Sequence, residues 1–265
     1  MKKSILLIST LCLGGLLVAV PAVHADGGAA TTKGYIKFSD GDDDGGPSDP
    51  GDEKDPDDKT KPIVPTKPVD PGKKTDGPLR FVYIPNVDFG DSNVIKTVGK
   101  AYYYARFPMV DDTKERPNFF EVSDARGGGK GWTVTLSNNG VFKNGSGHEI
   151  KANLYVNGMN IRSNSQLEEN FYPELNKNLS DTINGTPYMR VSSNTVLAKA
   201  DGAKKQGFGR WSVRFGSTAN KIDQKVKDGK IEKRNPAVAL EVLPGMKDTS
   251  SGYSTDLVWE ITDGK

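Results

Sequence analysis

Short segments in which apolar and polar residues alternate occur throughout the chain after residue 78. Successive side chains of a β-strand point to opposite faces of the sheet, so this alternation predicts strands with one buried face. Turn-forming clusters such as Asn138-Asn139-Gly140 and Pro244-Gly245 separate the segments. We therefore predict an all-β fold, a single antiparallel sandwich or barrel-like domain over residues 79–265. The candidate strands are 79–84, 101–107, 119–122, 132–136, 149–156, 189–198, 210–215, 237–243 and 253–261, and the candidates for single-turn or short helices are 165–175 and 221–228.

Two tryptophan segments, near the start and the end of the predicted domain, combine an indole ring with a β-branched partner. Trp132 is followed two residues later by Val134, and Trp259 by Ile261, so each pair forms one apolar strip on a strand face. We expect the two strands to close a common core, because an aliphatic partner in the same phase is typical of a buried face. Trp211 has the same pattern. The alternative is that the flat rings stack on sugars.

The N-terminus has the pattern of a secretory signal peptide. Lys2 and Lys3 precede an apolar stretch over residues 5–20, and Val23-His24-Ala25 is a small-residue cleavage site. The apolar stretch is short for a membrane-spanning helix, and no second one of spanning length follows. We therefore expect residues 1–25 to be removed on export, with no insertion in the membrane. Because Lys265 ends the chain without a hydrophobic tail or sorting motif, we also expect no covalent anchor.

A short apolar segment and a linker precede the β-domain. Residues 33–39, within the segment 26–39, alternate like one strand, which could pair with its own domain or add to a partner's sheet. Residues 40–78 are rich in Asp and Pro and cannot bury enough apolar surface to fold, so they form an extended linker. Asp40, Asp42 and Asp44 match the first half of a calcium loop, but Gly51 stands where a bidentate Glu is needed. A solvated acidic linker is the preferred interpretation.

Composition argues against several classes of function. Removal of the two signal lysines leaves 34 basic and 34 acidic residues. The mature chain therefore has no excess of positive charge that would attract nucleic acid. The only cysteine, Cys12, lies in the signal, so the mature chain has no thiol for catalysis or zinc binding. His148 is the only histidine that remains, and acid pairs such as Asp111-Asp112 are usually solvated. We therefore predict a protein that is not an enzyme and needs no cofactor.

Two further patterns have both a structural and a functional interpretation. The run Tyr102-Tyr103-Tyr104 cannot be buried on one sheet face, and we expect Tyr103 to point opposite its neighbours. One side of this run is a candidate aromatic interaction surface, and packing against a loop is the alternative. The glycine-rich residues 127–131 resemble a phosphate loop only superficially, since a strand and not a helix follows, so we interpret them as a strand connection.

Several blocks, taken in order along the chain, resemble the WxL-domain surface proteins of Gram-positive bacteria. No block is specific alone, but the ordered combination is, and it covers nearly the whole mature chain. Val134 and Ile261 stand where that family usually has leucine, and both keep an aliphatic side chain in the same strand phase. The blocks are residues 77–90, 120–127 leading to Trp132, 209–216, 239–245 and 253–263.

The resemblance implies an exported protein that is held non-covalently on the cell wall. Its proposed ligand is then peptidoglycan, and its expected partners are a membrane-anchored WxL-interacting protein and other surface proteins encoded beside it. The alternative is an adhesin that binds host or extracellular-matrix protein, although the sequence contains no separate adhesive module.

Overall fold

Antiparallel strands make up almost all of the regular secondary structure among the described residues. The computed structural model describes residues 72–96, 98–110, 114–163, 167–247, 249 and 251–264. The strand pairings among these residues are antiparallel, which confirms the predicted all-β fold class. The predicted signal peptide, the strand at 33–39 and the triplet Asp40, Asp42 and Asp44 lie outside the described residues.

The strands are β1 (Leu79–Tyr83), β2 (Ala101–Ala105), β3 (Met109–Val110), β4 (Lys114–Glu115), β5 (Asn118–Asp124), β6 (Trp132–Asn138), β7 (Val141–Asn144), β8 (Glu149–Val156), β9 (Met159–Ser163), β10 (Glu174–Leu175), β11 (Asp181–Ile183), β12 (Thr186–Val191), β13 (Thr195–Ala200), β14 (Gly209–Phe215), β15 (Ile222–Lys225), β16 (Ile231–Val242), β17 (Tyr253–Ser254) and β18 (Leu257–Asp263).

These strands form three main sheets within the described part of the chain. The first has the order β1-β5-β14-β9, and the second has the order β10-β13-β6-β18. The largest has the order β11-β12-β8-β16-β15, with β2 added along β16, β7 along β8 and β17 beyond β7. The second sheet therefore contains both tryptophan motifs, on strands that are direct neighbours.

One apolar core takes side chains from all three sheets. Phe120 comes from the first sheet, Leu197 from the second, and Leu154 and Val238 from the largest. In β6 the residues in phase with Trp132 are buried and those between them are partly exposed, as alternation predicts. Burial of apolar area contributes about 25 cal/mol per Å², so this core is the main source of stability in a domain whose described residues lack cysteine.

The largest sheet also buries side chains on both of its faces. Leu240 and Val242 of β16 pack with Phe142 on one side. Ala239, which directly precedes Leu240, packs with Tyr104 and neighbouring rings on the other side. The opposite directions of successive side chains thus produce two small apolar clusters from a single strand.

Two of the predicted strands are each divided into two in the structure. Residues 189–198 were expected to form one strand, but β12 ends at Val191 and β13 begins at Thr195. Asn194 between them has a φ of 52°, a left-handed conformation that asparagine tolerates and a strand cannot contain. Apolar alternation continues on both sides of this turn, which is why the pattern alone predicted one strand. Residues 253–261 likewise divide into β17 and β18.

The candidate helix at 165–175 contains a single turn, whereas the candidate at 221–228 was wrong, because strand β15 lies within it. Several short strands were not predicted. Glu169–Phe171 and Lys227–Gly229 are three-residue 3₁₀ turns. Strands β7, β9, β11 and β15 are short and carry few large apolar residues, so their alternation is weak. Asn184-Gly185, with φ values of 49° and 83°, joins β11 to β12 as a two-residue hairpin loop, a turn signal that the sequence does contain.

Residues 72–78, assigned above to the linker, pair with the first strand in the structure. Lys73 forms a bridge with Ile84. The Thr75 N–H donates to the Phe81 carbonyl at 3.0 Å, and the Thr75 hydroxyl accepts from the Phe81 N–H at 2.9 Å. The described part of the β-domain therefore includes these residues as well as those from Leu79 onward.

Candidate functional site

The two tryptophan motifs lie on adjacent antiparallel strands. Strand β18 pairs with β6 along its whole length, and this register places Ile261 directly opposite Val134. Trp259 lies opposite Leu136, and Trp132 lies opposite Asp263. Segments that are 127 positions apart in the sequence numbering thus form one continuous apolar face, because residues opposite each other on paired strands share the same side of the sheet.

The two motifs differ in exposure. Trp132 and Val134 are completely buried in the core. Trp259 and Ile261 pack against the same core but remain partly exposed. The Trp259 ring centroid lies 5.3 Å from that of Phe120 and 6.3 Å from that of Phe81. Trp132 therefore exposes no surface that a ligand could contact, whereas part of Trp259 is exposed.

Glycines let the backbone pack closely against the Trp132 indole and along the connection that precedes Trp132. The Trp132 Nε1–H donates to the Gly207 carbonyl at 2.9 Å. Gly207 has a φ of +82°, and a Cβ added there would lie 2.5 Å from Trp132 Nε1. Gly129 and Gly131 also have positive φ and approach the backbone near Lys205 and Ala200 too closely for a side chain. The glycine-rich residues 127–131 are thus a closely packed strand connection.

An arginine joins the two motif strands at the Trp132 end. Arg126 forms hydrogen bonds from Nε and Nη2 to the completely buried Asp124 carboxylate, at 2.8 and 2.9 Å. It also donates to the Gly131 carbonyl at 2.7 Å and forms an ion pair with Asp263, the residue opposite Trp132. This one side chain therefore connects β5, the glycine-rich connection and the end of β18.

Trp211 occupies the core as its alternation with Val213 and Phe215 indicates. Its side chain is completely buried, and its Nε1–H donates to the Phe208 carbonyl at 3.0 Å. The Tyr172 ring packs edge-on against it, with the centroids 4.7 Å apart. Trp211, like Trp132, therefore exposes no surface that a ligand could contact.

The tyrosine run is divided between the two faces of the largest sheet. Tyr102 and Tyr104 lie on one face, and Tyr103 lies on the other. Tyr104 is buried, while the Tyr102 hydroxyl donates to Glu241 at 3.0 Å and the Tyr103 hydroxyl donates to the Val94 carbonyl at 2.9 Å. The structure therefore does not bring the three rings together on one exposed face.

Glu241 is a buried carboxylate at the centre of a polar cluster. Its side chain is 3% exposed and accepts hydrogen bonds from Asn153 at 2.7 Å and Tyr102 at 3.0 Å, beside an ion pair with Lys100 at 2.8 Å. Burial acts to raise the pKa of Glu241, but the hydrogen bonds from Lys100, Asn153 and Tyr102 outweigh burial and lower that pKa. The cluster joins β2, β8 and β16 on the face that carries Tyr102.

A groove with a volume of about 760 Å³ lies beside the second tryptophan motif. Its lining includes Leu154, Leu240 and Val242 of the largest sheet, together with Trp259 and Tyr103. This volume is within the range of small-molecule binding sites, roughly 300–1,000 Å³. The groove therefore brings together one residue from the second motif and one from the tyrosine run, whereas Trp132, Val134, Tyr102 and Tyr104 do not line it.

A charged cluster holds the loop that forms one wall of the groove. Arg106 pairs with Asp88 at 3.2 Å and with Asp91 at 3.0 Å, and its backbone N–H donates to the Asp88 carbonyl. Beneath the loop, Arg234 is completely buried, and a Cβ at Gly90 would lie 2.5 Å from its Nη2 atom. Burial lowers the pKa of the Arg234 guanidinium. The alternation pattern did not predict this wall, since its residues lie in an irregular loop and meet the groove only through tertiary packing.

The histidine and the acids among the described residues do not form a metal-binding cluster. His148 lies within 2.8 Å of the Tyr253 hydroxyl, at the hairpin between β7 and β8. Among the described positions, no group of three or more histidines and acids is arranged to hold a metal ion. No helix in this part of the chain has the length and apolar character needed to cross a bilayer.

These observations define a class of protein, an all-β domain whose core is closed by two adjoining tryptophan strands and whose surface carries a ligand-sized groove. A family profile described as WxL domain, surface cell wall-binding, matches residues 25–264. The chain therefore belongs to the WxL family and is a cell-surface, cell-wall-binding protein, as the resemblance in the sequence indicated. Comparison with curated proteins finds no match, and neither does comparison with solved structures.

Proposed function

We propose that this protein is exported and attaches non-covalently to the Gram-positive envelope by binding peptidoglycan through its β-domain. Membership of a cell-wall-binding surface family carries this proposal. The groove beside Trp259 supports it, since it is a concave, partly aromatic surface large enough for a ligand. The signal-peptide pattern of residues 1–25 supplies the route to the wall.

Attachment without catalysis is part of the same proposal. The described acids are mostly engaged in structural contacts, such as Asp124 with Arg126 and Glu241 with Lys100. We infer that the protein recognises wall material and does not hydrolyse it. Release of soluble muropeptides from sacculi by the purified protein would contradict this inference.

Sedimentation with purified sacculi tests direct wall binding. The mature protein should pellet with peptidoglycan from which proteins and anionic polymers have been removed, and the bound fraction should saturate as protein concentration rises. Sacculi treated with a muramidase should no longer retain it. A protein that stays in the supernatant with bare sacculi would exclude direct peptidoglycan binding as the means of attachment.

A membrane-anchored WxL-interacting companion protein is the second candidate ligand, and a specific surface favours it. Val94, Val98 and Met246 are 50, 79 and 82% exposed. They belong to two loops that meet at one end of the largest sheet, because Ala101 pairs with Val242. Exposed apolar side chains on neighbouring loops are typical of protein–protein contact surfaces. If companion protein is required for sedimentation with sacculi, this route accounts for attachment.

The adhesin alternative uses the same exposed loops with a different partner. Saturable, salt-resistant binding to immobilised host matrix protein would support it. We rank it below wall attachment, because the family match concerns cell-wall binding.

A further inference from the structure

We propose that the groove beside Trp259 binds the glycan strand of the wall, a neutral chain of N-acetylated hexosamines. This inference rests on the proposed wall-binding function and assigns it to one site. The site comprises Trp259, Tyr103 and Tyr253 as aromatic walls, and Ser254 and Asp256 as a polar side.

The aromatic walls have the form that a sugar ring requires. A pyranose presents an apolar C–H face, which packs against a flat aromatic ring and removes apolar area from water. Trp259, Tyr103 and Tyr253 all line the groove and all remain partly exposed, so their rings are accessible from it. The two other tryptophans are completely buried and cannot serve in this way.

The polar side supplies groups for the hydroxyls around the rim of the sugar. Ser251, Ser254 and Asp256 line the groove and are exposed. A carboxylate accepts hydrogen bonds, while hydroxyl groups both donate and accept. Leu240 and Val242 add apolar side chains to the lining, which suits the methyl group of an N-acetyl substituent.

The charge of the lining favours a neutral ligand over an anionic polymer. The charged lining residues are three acids, Asp88, Asp91 and Asp256, and two lysines, Lys73 and Lys247. Arg106 already pairs with Asp88 and Asp91, and the Lys247 ammonium donates to the Leu243 and Gly245 carbonyls. The groove thus lacks the concentrated positive charge that would attract a phosphate-rich wall polymer.

Fluorescence quenching by acrylamide tests the proposal in the unmodified mature chain. The protein has three tryptophans, and Trp132 and Trp211 are completely buried, so external quenching reports mainly on Trp259. Saturation with the β-1,4-linked tetramer of N-acetylglucosamine should lower the acrylamide quenching constant. Binding of this tetramer, detected by calorimetry, with no change in quenching would overturn the assignment to the groove.

A substitution that fills the groove provides the second measurement. Ser254→Arg places a long side chain in the groove from an exposed strand position and removes no core packing. It should weaken binding of the tetramer and of sacculi at least about tenfold, which is ~1.4 kcal/mol. Thr182→Arg, at an exposed position on β11 that does not line the groove, adds the same charge and should bind like the wild type.

The outcomes of these experiments distinguish glycan binding in the groove from the broader proposal that the protein binds the wall. If wild-type protein and Ser254→Arg pellet equally with sacculi, the groove is not the site, although wall binding stands. If the wild type does not pellet with bare sacculi, direct wall binding fails. If companion protein, and not the sugar tetramer, protects Trp259 from quenching, the groove is a protein site and the glycan assignment is wrong.

Discussion

At the scale of single residues, the same motif has two different environments. Trp132 is enclosed by the core and by Gly207, while Trp259 has one side on the core and another on the groove. Strand alternation predicted that each ring would lie in phase with its aliphatic partner. It could not predict exposure, because exposure depends on which other elements cover the strand.

Replacement of Trp132 by alanine should destabilise the fold by about 3–5 kcal/mol, because the change leaves a large cavity in a fully buried site. Chemical denaturation monitored by circular dichroism measures the change in the free energy of unfolding. Thr133→Ala, at the neighbouring partly exposed position, is the matched control and should change that free energy much less. A midpoint for Trp132→Ala equal to that of the wild type would show that the ring is not part of the core.

Gly207→Ala should destabilise more than Gly185→Ala, although the two glycines have φ values of +82° and +83°. Both changes force alanine into a left-handed conformation, at a cost of about 1–2 kcal/mol. At Gly207 the new Cβ would also collide with Trp132 and Ala200, which adds about 1–3 kcal/mol, whereas at Gly185 nothing lies within 4 Å. Thermal unfolding of the two variants measures the difference, and equal melting temperatures would contradict the close approach of Gly207 to the indole.

At the scale of elements, Arg126 and Glu241 each connect strands that are distant in sequence. Arg126 fastens the start of β6 to the end of β18 through Asp124 and Asp263. Glu241 fastens β16 to β2 and β8 through Tyr102 and Asn153. The sequence identified neither residue. A single charged residue in a sequence gives no sign of whether its ion pair will be buried or exposed to solvent.

Arg126→Met should destabilise the fold by about 3–5 kcal/mol, because it leaves the buried Asp124 carboxylate without its cation. Urea denaturation gives the free energy of unfolding. Asp263→Asn removes the other, 69% exposed partner and should have a small effect. If the two substitutions were equally damaging, the buried pair with Asp124 would not be the dominant contact.

The Glu241 cluster should make stability depend on pH on the acid side. Since the folded protein lowers the pKa of Glu241, the stabilisation is complete above the ordinary glutamate pKa of about 4.3. It is then lost as the pH falls through the lower pKa of the folded state. Melting temperatures of the wild type and Glu241→Gln, measured across this range, should converge as the pH falls. A constant difference between them at all pH values would contradict this linkage.

At the scale of the whole molecule, stability and ligand binding should depend on different residues of the paired motifs. Trp132→Phe should lower the melting temperature yet bind sacculi like the wild type when measured well below that temperature. Ser254→Arg should melt like the wild type and lose binding, because position 254 is exposed and lines the groove. Parallel melting and sedimentation assays check this separation. Loss of wall binding by fully folded Trp132→Phe would show that the first motif takes part in recognition.

Several features of the fold and function followed from the sequence alone. Period-two alternation predicted the all-β class because it reflects the local geometry of every strand. The Trp132 and Trp259 segments indicated paired strands, and the ordered blocks indicated the WxL family, which the family match confirms.

Only the tertiary structure determined the register of the paired strands, the exposure of individual side chains and the set of residues that line the groove. The pairing of Val134 with Ile261, the different exposure of Trp132 and Trp259, and the meeting of Tyr103 with Trp259 at one groove all depend on contacts between distant segments. The break between Val191 and Thr195 also required the structure, because apolar alternation is the same on both sides of that turn. Local patterns report which way a side chain points along its own strand, whereas its neighbours and its access to solvent depend on how the sheets pack.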